Sequence, residues 1–354
     1  MICKQINLRR SCLFLFLICQ QLTGQTNVLF ESDKVINLSL DGSLKDAFKD
    51  RGESSSYHKA LVVYQSGKVQ EKVPVKIKTR GNFRRSAANC KYPPLLLNFS
   101  KNKLPHNSLF DGQNKLKLVT SCRGSEYVIQ EYLVYRLYNL ITPYSFRARL
   151  VNVTYNDSVK AKTINQSYGI LLEDEKQMAA RNETKRLKQL KLSPLSIERQ
   201  QFLKMAVFEY LIGNTDWSVQ YLQNIKLIQK TPKSLPISVP YDFDHAGIVR
   251  APYAKPAPAL QLRNTLERRY RGFCVANINE FTPVFEEFNR LRESIYALYQ
   301  NNALLEQEYI DKTVSFLDDF YETINDPVKA KQAFLYPCDR SGTGNVVIKG
   351  LKKQ

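Results

Sequence analysis

The sequence predicts an α+β fold of two lobes, a strand-rich N-terminal lobe followed by a helical C-terminal lobe. Three observations lead there. Short apolar or alternating runs crowd residues 61–119. A run with apolar residues at every fourth position, Ile129, Leu133, Leu137 and Ile141, comes next. Beyond residue 197 the longest periodic stretches are helical. Strands grouped ahead of helices, rather than alternating with them, argue against a doubly wound sheet.

The elements follow in order. Lys4, Arg9 and Arg10 precede a short apolar run from Cys12 to Cys19, and a polar segment ends at Leu22-Thr23-Gly24. That order reads as a cleavable secretory signal, residues 1–24, with cleavage expected near Gly24/Gln25 and the mature chain exported. Residues 25–60 are expected to form an N-terminal extension holding an edge strand and a short helix. The strand-rich lobe spans residues 61–175. It opens with Leu61-Val62-Val63-Tyr64, turns through Ser66-Gly67 and returns as Val73-Pro74-Val75-Lys76-Ile77-Lys78, the pattern of a hairpin. An Arg80-Gly81-Asn82 turn, the apolar run Leu95–Phe99 and the alternating Lys115-Leu116-Lys117-Leu118-Val119 come next. The helix over residues 127–141 is apolar or aromatic on most faces, so it is expected to be buried, and Pro143 closes it. Two further strand-like runs cover residues 146–155 and 168–172. A basic connector, residues 176–192, marks the lobe boundary. The helical lobe, residues 176–335, holds a mostly apolar helix over 197–212, a strand over 225–228 and two amphipathic helices. One of these carries Phe285, Phe288, Leu291, Ile295 and Leu298; the other carries Ile310, Val314, Leu317, Tyr321 and Ile324. Residues 336–354 form a C-terminal tail.

Composition narrows the function classes. Hydrophobic residues make up 43% of the chain, enough for a packed core, and no later stretch is long and apolar enough to span a membrane. The net charge of +19 suits anionic partners, yet no helix-turn-helix, zinc finger or aromatic-studded strand motif for nucleic acid is present. Of seven Cys, four lie beyond the signal: Cys90, Cys122, Cys274 and Cys338. Export permits two disulfides, and proximity favours Cys90 with Cys122 and Cys274 with Cys338, although spacing alone does not fix pairing. His58, His106 and His245 are scattered, which speaks against a His/Cys metal site.

One constellation carries chemistry. Asp216 stands in Gly213-Asn214-Thr215-Asp216-Trp217, directly after the apolar helix. Asn224 follows at the start of a short strand, and Asp242 and Asp244 end the next strand in Pro240-Tyr241-Asp242-Phe243-Asp244. Two carboxylates and an amide carbonyl are the hard oxygen donors that Mg²⁺ or Mn²⁺ and phosphates require, and a separate carboxylate can accept a hydroxyl proton. Taken singly, Asp216 would cap a helix end, and Arg80, Lys91 and Lys117 would be surface charge. Their order along the chain gives the functional reading.

With Arg80-Gly81-Asn82, the apolar run after Lys91 and residues 168–175, this order resembles the spore-coat protein H (CotH) kinase-like family over roughly residues 75–250. The resemblance implies a two-lobed, protein-kinase-like fold, with ATP bound between the lobes and its γ-phosphate passed to a Ser or Thr hydroxyl of an extracytoplasmic protein. By the same resemblance Asp216 orients or deprotonates the acceptor. Asn224, Asp242 and Asp244 hold Mg²⁺ or Mn²⁺. Arg80, Lys91 and Lys117 lie near the phosphates, Glu131 pairs with Lys117, and Glu173 and Glu175 meet the adenine. The sequence departs from ordinary kinases in three ways: Asn-Thr-Asp replaces His-Arg-Asp, the Asp-to-Asn interval is longer, and Asp244 stands where they keep Gly. No G-x-G-x-x-G loop is present. Two other classes remain: a non-catalytic secreted binding or surface-assembly protein, and a binder of anionic polymers driven by charge.

Overall fold

Period-two alternation dominates the first half of the chain, and it produces seven strands that close on themselves. The computed structural model describes residues 28–100, 104, 108–189, 191–192 and 196–338. The expected signal, His106 and residues 339–354 lie outside the described residues. The strands are β1 (Ile36–Gly42), β2 (His58–Ser66), β3 (Val69–Thr79), β4 (Leu95–Phe99), β5 (Lys115–Thr120), β6 (Ala148–Asp157) and β7 (Lys162–Leu172). They form a closed barrel in the order β1-β2-β3-β4-β5-β7-β6. All neighbours are antiparallel except β1 and β6, which run parallel. A short helix, α1 (Leu44–Lys49), follows β1.

The inward residues of each strand fill the barrel. Leu38, Leu40, Val62, Val75, Ile77, Leu97, Leu116, Leu118, Val151, Val153 and Leu171 are buried together in one cluster. The alternate residues of β5, β6 and β7 face outward: Val119, Leu150, Ile170 and Leu172 belong to a second cluster. That second core takes in α2 (Ser125–Ile141), α4 (Arg199–Leu211) and the C-terminal helices through Phe334. Helix α2 is buried from Val128 to Tyr135, matching its apolar residues on most faces, because it is sandwiched between the barrel wall and the helices.

This arrangement corrects the expected fold class. The chain is not a two-lobed, kinase-like pair of a strand-rich lobe and a helical lobe. It is a closed seven-stranded mixed barrel with a small three-stranded sheet and eight helices among the described residues. The physical cause is β1. It pairs antiparallel with β2 (Leu38 opposite Tyr64) and, at once, parallel with β6 (Leu38 opposite Val153), which removes both edges of the sheet. The outer barrel wall and the helices then share one apolar core.

The connector expected over residues 176–192 is taken up by α3 (Glu175–Arg181), which begins one residue before it, and β8 (Lys185–Leu187). Strand β8 joins β9 (Ile225–Gln229) and β10 (Ile237–Pro240) in the small sheet, ordered β10-β9-β8. The first amphipathic stretch of the C-terminal third is two helices, α5 (Thr282–Arg290) and α6 (Arg292–Gln300). The second is α7 (Gln307–Asn325), followed by α8 (Pro327–Phe334). Disulfides join Cys90 to Cys122 and Cys274 to Cys338. Among the described residues no helix is long and apolar enough to cross a membrane.

Candidate functional site

Antiparallel pairing of β9 with β10 brings the start of one strand beside the end of the other. Ile225 lies opposite Pro240, and the Tyr241 amide donates to the Asn224 carbonyl at 3.0 Å. Asn224 and Asp242 therefore meet at one end of the small sheet. Both adopt left-handed backbone conformations, φ 50° and φ 67°. A non-glycine residue held there costs about 1 kcal/mol or more, a strain concentrated where geometry serves function.

Asp216 reaches the same place from α4. That helix ends at Leu211, and Gly213 turns the chain with φ +67°, a conformation that favours glycine. A Cβ on Gly213 would also come within 3.0 Å of the Thr265 carbonyl oxygen, and one on Gly247 within 2.2 Å of the same atom. The two glycines let the loop after α4 run beside the loop after β10, where the Gly247 amide donates to the Gly213 carbonyl at 3.1 Å. The Asp216 carboxylate is then fixed by side-chain donors. Asn224 Nδ2 donates to Oδ2 at 3.0 Å and to the Asp216 carbonyl at 2.8 Å, and Gln223 Nε2 donates to Oδ1. Burial, with the nearby charges of Asp244 and Asp242, pushes the Asp216 carboxyl up to about 6, against the opposing pull of His245 and the Asn224 hydrogen bond.

Arg84, in the short 3-10 turn Phe83–Arg85 after β3, ties the remaining carboxylates together. Its Nη1 lies 3.1 Å from Glu131, its Nη2 2.7 Å from Asp242 and its Nε 3.2 Å from Asp244. Burial opposes the guanidinium charge, but Asp244, Glu131 and Asp242 outweigh it and hold Arg84 well above its ordinary value. Glu131, inside α2, is pushed up to about 7 by burial, and the Asp244 and Asp242 charges add to this against Arg84. Asp244 also accepts from the Tyr253 hydroxyl at 3.1 Å. The Asp242 amide donates to the Tyr135 hydroxyl at 2.9 Å. For Asp242, burial works to raise the carboxyl, yet Arg84, Arg80, Lys117 and His245 outweigh it and hold it below the usual value. Protein charges crowd Asp242, but 42% of its side-chain surface stays open, and the open surface decides whether a ligand reaches it.

Cations line the other side. Lys117 on β5 and Lys226 on β9 each place Nζ 5.0 Å from the centre of the Tyr241 ring. Burial, then repulsion from Arg80 and Lys226, lowers Lys117 to about 8. Arg80 is lowered by burial, with Asp242 working against it.

The structure thus brings together Arg80, Lys117, Glu131, Asp216, Asn224, Asp242 and Asp244. It does not bring in Lys91, which lies exposed over the Tyr92 ring. Nor does it free Glu173 for a base: that carboxylate is 2% exposed, takes Arg181 at 2.9 Å and accepts the Arg147 amide. Glu175 lies at the start of α3, 3.9 Å from Arg186, with its charge felt at Lys117. The partner of Glu131 is Arg84, not Lys117. Sequence reasoning missed Arg84, Tyr253, Gln223 and Lys226. The alternation Ile225-Lys226-Leu227 does place Lys226 on the face away from the core.

Among the described residues no three His, Cys, Asp or Glu side chains form a metal-binding group. Asp244 is committed to Arg84 and Tyr253 and does not fit as a ligand. Asp242 Oδ2 and the Asn224 amide oxygen lie outside the hydrogen bonds described, and one carboxylate with one amide oxygen suffices for a Mg²⁺-like ion that keeps water and phosphate oxygens elsewhere. A surface cavity of about 600 Å³ near Arg136, Arg147 and Arg181 shares no residue with this cluster. No protein-family model matches the chain, and no curated protein does either.

Proposed function

We propose that this chain is an exported phosphotransferase that moves the γ-phosphate of ATP to a Ser or Thr hydroxyl of an extracytoplasmic protein, with Mg²⁺ or Mn²⁺. One observation carries the reading. A carboxylate fixed by two side-chain amides, Asp216, lies within the field of the partly open Asp242, and Asp242 in turn lies within that of Arg80 and Lys117, cations that make no ion pair among the described residues. The resemblance to the CotH kinase-like family, drawn from the order of Asp216, Asn224, Asp242 and Asp244, implies the same chemistry. The secretory signal read in residues 1–24 supplies the address.

Each residue has a task. Arg80 and Lys117 hold the phosphate chain by charge-assisted hydrogen bonds. Asn224 keeps the Asp216 carboxylate turned toward the acceptor. Asp216 takes the hydroxyl proton as the acceptor oxygen bonds to the γ-phosphorus. The bond from that phosphorus to the bridging oxygen breaks, and its electron pair leaves with the diphosphate. A divalent ion held by Asp242 and Asn224 would neutralise phosphate charge. Glu131 and Arg84 keep the carboxylate end of the site in register.

The test is transfer of labelled γ-phosphate by purified protein with Mg²⁺ or Mn²⁺. Asp216→Asn is expected to lower transfer by about 10²- to 10⁴-fold while nucleotide still binds. Wild type that labels no acceptor and does not label itself would sink the reading. A second reading, a non-catalytic nucleotide-binding protein, is favoured by the grip of Arg84 on both Asp242 and Asp244. It expects nucleotide to raise the melting temperature with no transfer.

A further inference from the structure

Lys226 has no role in the reading above, yet its surroundings define one. Three separate elements, the turn after β3, strand β5 and strand β9, deliver Arg80, Lys117 and Lys226 to the neighbourhood of one ring, Tyr241. Both lysine ammonium groups lie 5.0 Å from the ring centre, near enough for the ring quadrupole to hold them. Arg80 acts electrostatically on Tyr241 and on Lys117, and Lys226 repels Lys117. None of the three makes an ion pair among the described residues. The nearby carboxylates are engaged elsewhere: Asp242 with Arg84, Glu175 toward Arg186.

Like charges gathered in a partly buried place repel strongly. Two of these cations stand on strands and the third on a turn directly continuing a strand, so the backbone keeps all three side chains based around one ring. What relieves the repulsion is an anion with several linked charges. A chain of phosphates brings more negative charge than a lone phosphate and spreads it over several groups that cations arriving from three elements can share.

We propose that Lys226 is a phosphate-binding residue that completes, with Arg80 and Lys117 around Tyr241, a cradle for the linked phosphates of a triphosphate. This rests on the phosphotransferase reading only for the identity of the triphosphate as a nucleotide; the cradle itself binds triphosphate whether or not transfer follows.

Calorimetric titration of the full chain tests it, with three probes: inorganic tripolyphosphate, a non-hydrolysable ATP analogue and orthophosphate. Both triphosphates are expected to bind more tightly than orthophosphate. Lys226→Met should weaken both by about 10- to 100-fold, the usual worth of one charge-assisted contact, and Lys226→Arg should restore most of the loss. Affinity should fall with added salt more steeply for wild type than for Lys226→Met. A tighter ATP analogue marks a nucleotide source; equal affinities mark the phosphate chain alone. The proposal is overturned if Lys226→Met binds triphosphate within about twofold of wild type, or if wild type does not prefer triphosphate to orthophosphate. Circular dichroism and melting of each variant separate misfolding from lost contact, and recovery in Lys226→Arg shows that charge is what matters. A transfer assay on wild type keeps the two readings apart: triphosphate binding that needs Lys226, with no transfer by wild type, refutes the phosphotransferase and leaves the cradle standing.

Discussion

Lys117 is the cation of the site whose charge changes just above neutral pH. Arg80 and Lys226 repel it, Asp242 and Glu175 attract it, and the Tyr241 ring lies under it. Its folded value, about 8, lies below the ordinary 10.5. It is charged at pH 7 and loses that charge as pH rises through about 8. Triphosphate affinity is therefore expected to fall between pH 7 and pH 9, and Lys117→Arg should flatten that fall; titrations at several pH values check this. The same shift has a stability sign. A lysine with a depressed folded value contributes stability that is fully present above 10.5 and lost as pH falls through 8. Lys117→Met should accordingly melt higher than wild type at pH 7, by on the order of 1–2 kcal/mol after allowing for solvent screening. The gain should shrink toward pH 10. A variant that stabilises the chain while weakening its ligand is the expected mark of a binding residue.

Between strands and helices, the segment joining β3 to β4 matters most, because it carries Arg80 and Arg84. The Cys90–Cys122 disulfide fastens this segment to the chain just before α2, the helix that carries Glu131. Replacing both cysteines with Ser is expected to cost about 2–4 kcal/mol in chemical denaturation. It should also weaken triphosphate binding, since Arg80 loses its anchor. An unchanged affinity in the doubly substituted protein would show that β3 and β4 alone position the turn. Much at this scale was legible in sequence. Alternation marks β2, β3 and β5, every-fourth spacing marks α2, and proximity gave the cysteine pairing that forms. Asn224 and Asp242 were found because each stands beside a short strand. Arg84 was not, since its partners Glu131 and Asp242 lie 47 and 158 residues away and no local pattern announces them. Glu173 shows a like limit: its position after β7 is visible in the sequence, but its commitment to Arg181 depends on how α3 turns back.

For the molecule as a whole, the sequence showed strands before helices but not that the strands close. Residues 36–42 alternate, but a parallel partner leaves no turn signal between the two strands it joins. Closure by β1 and β6 also dictates the order in which the fold can be completed. Side chains of Asn37 and Asn152, bonded across that seam, are 115 residues apart. The β2–β3 hairpin needs only its own turn and can form in microseconds. The seam must wait for a long loop to close, an entropic cost that no local contact offsets. Pulse-labelled hydrogen exchange during refolding should find β2 and β3 amides protected early, with the β1 amides that face β6 protected late and together with those of β6. Protection of those β1 amides ahead of β6 would contradict this order. A chain made from its N-terminus thus delivers the barrel's first strand first and completes its seam with β6 last. Through that interval the edge of β1 is the stretch of backbone most open to pairing with a neighbouring chain.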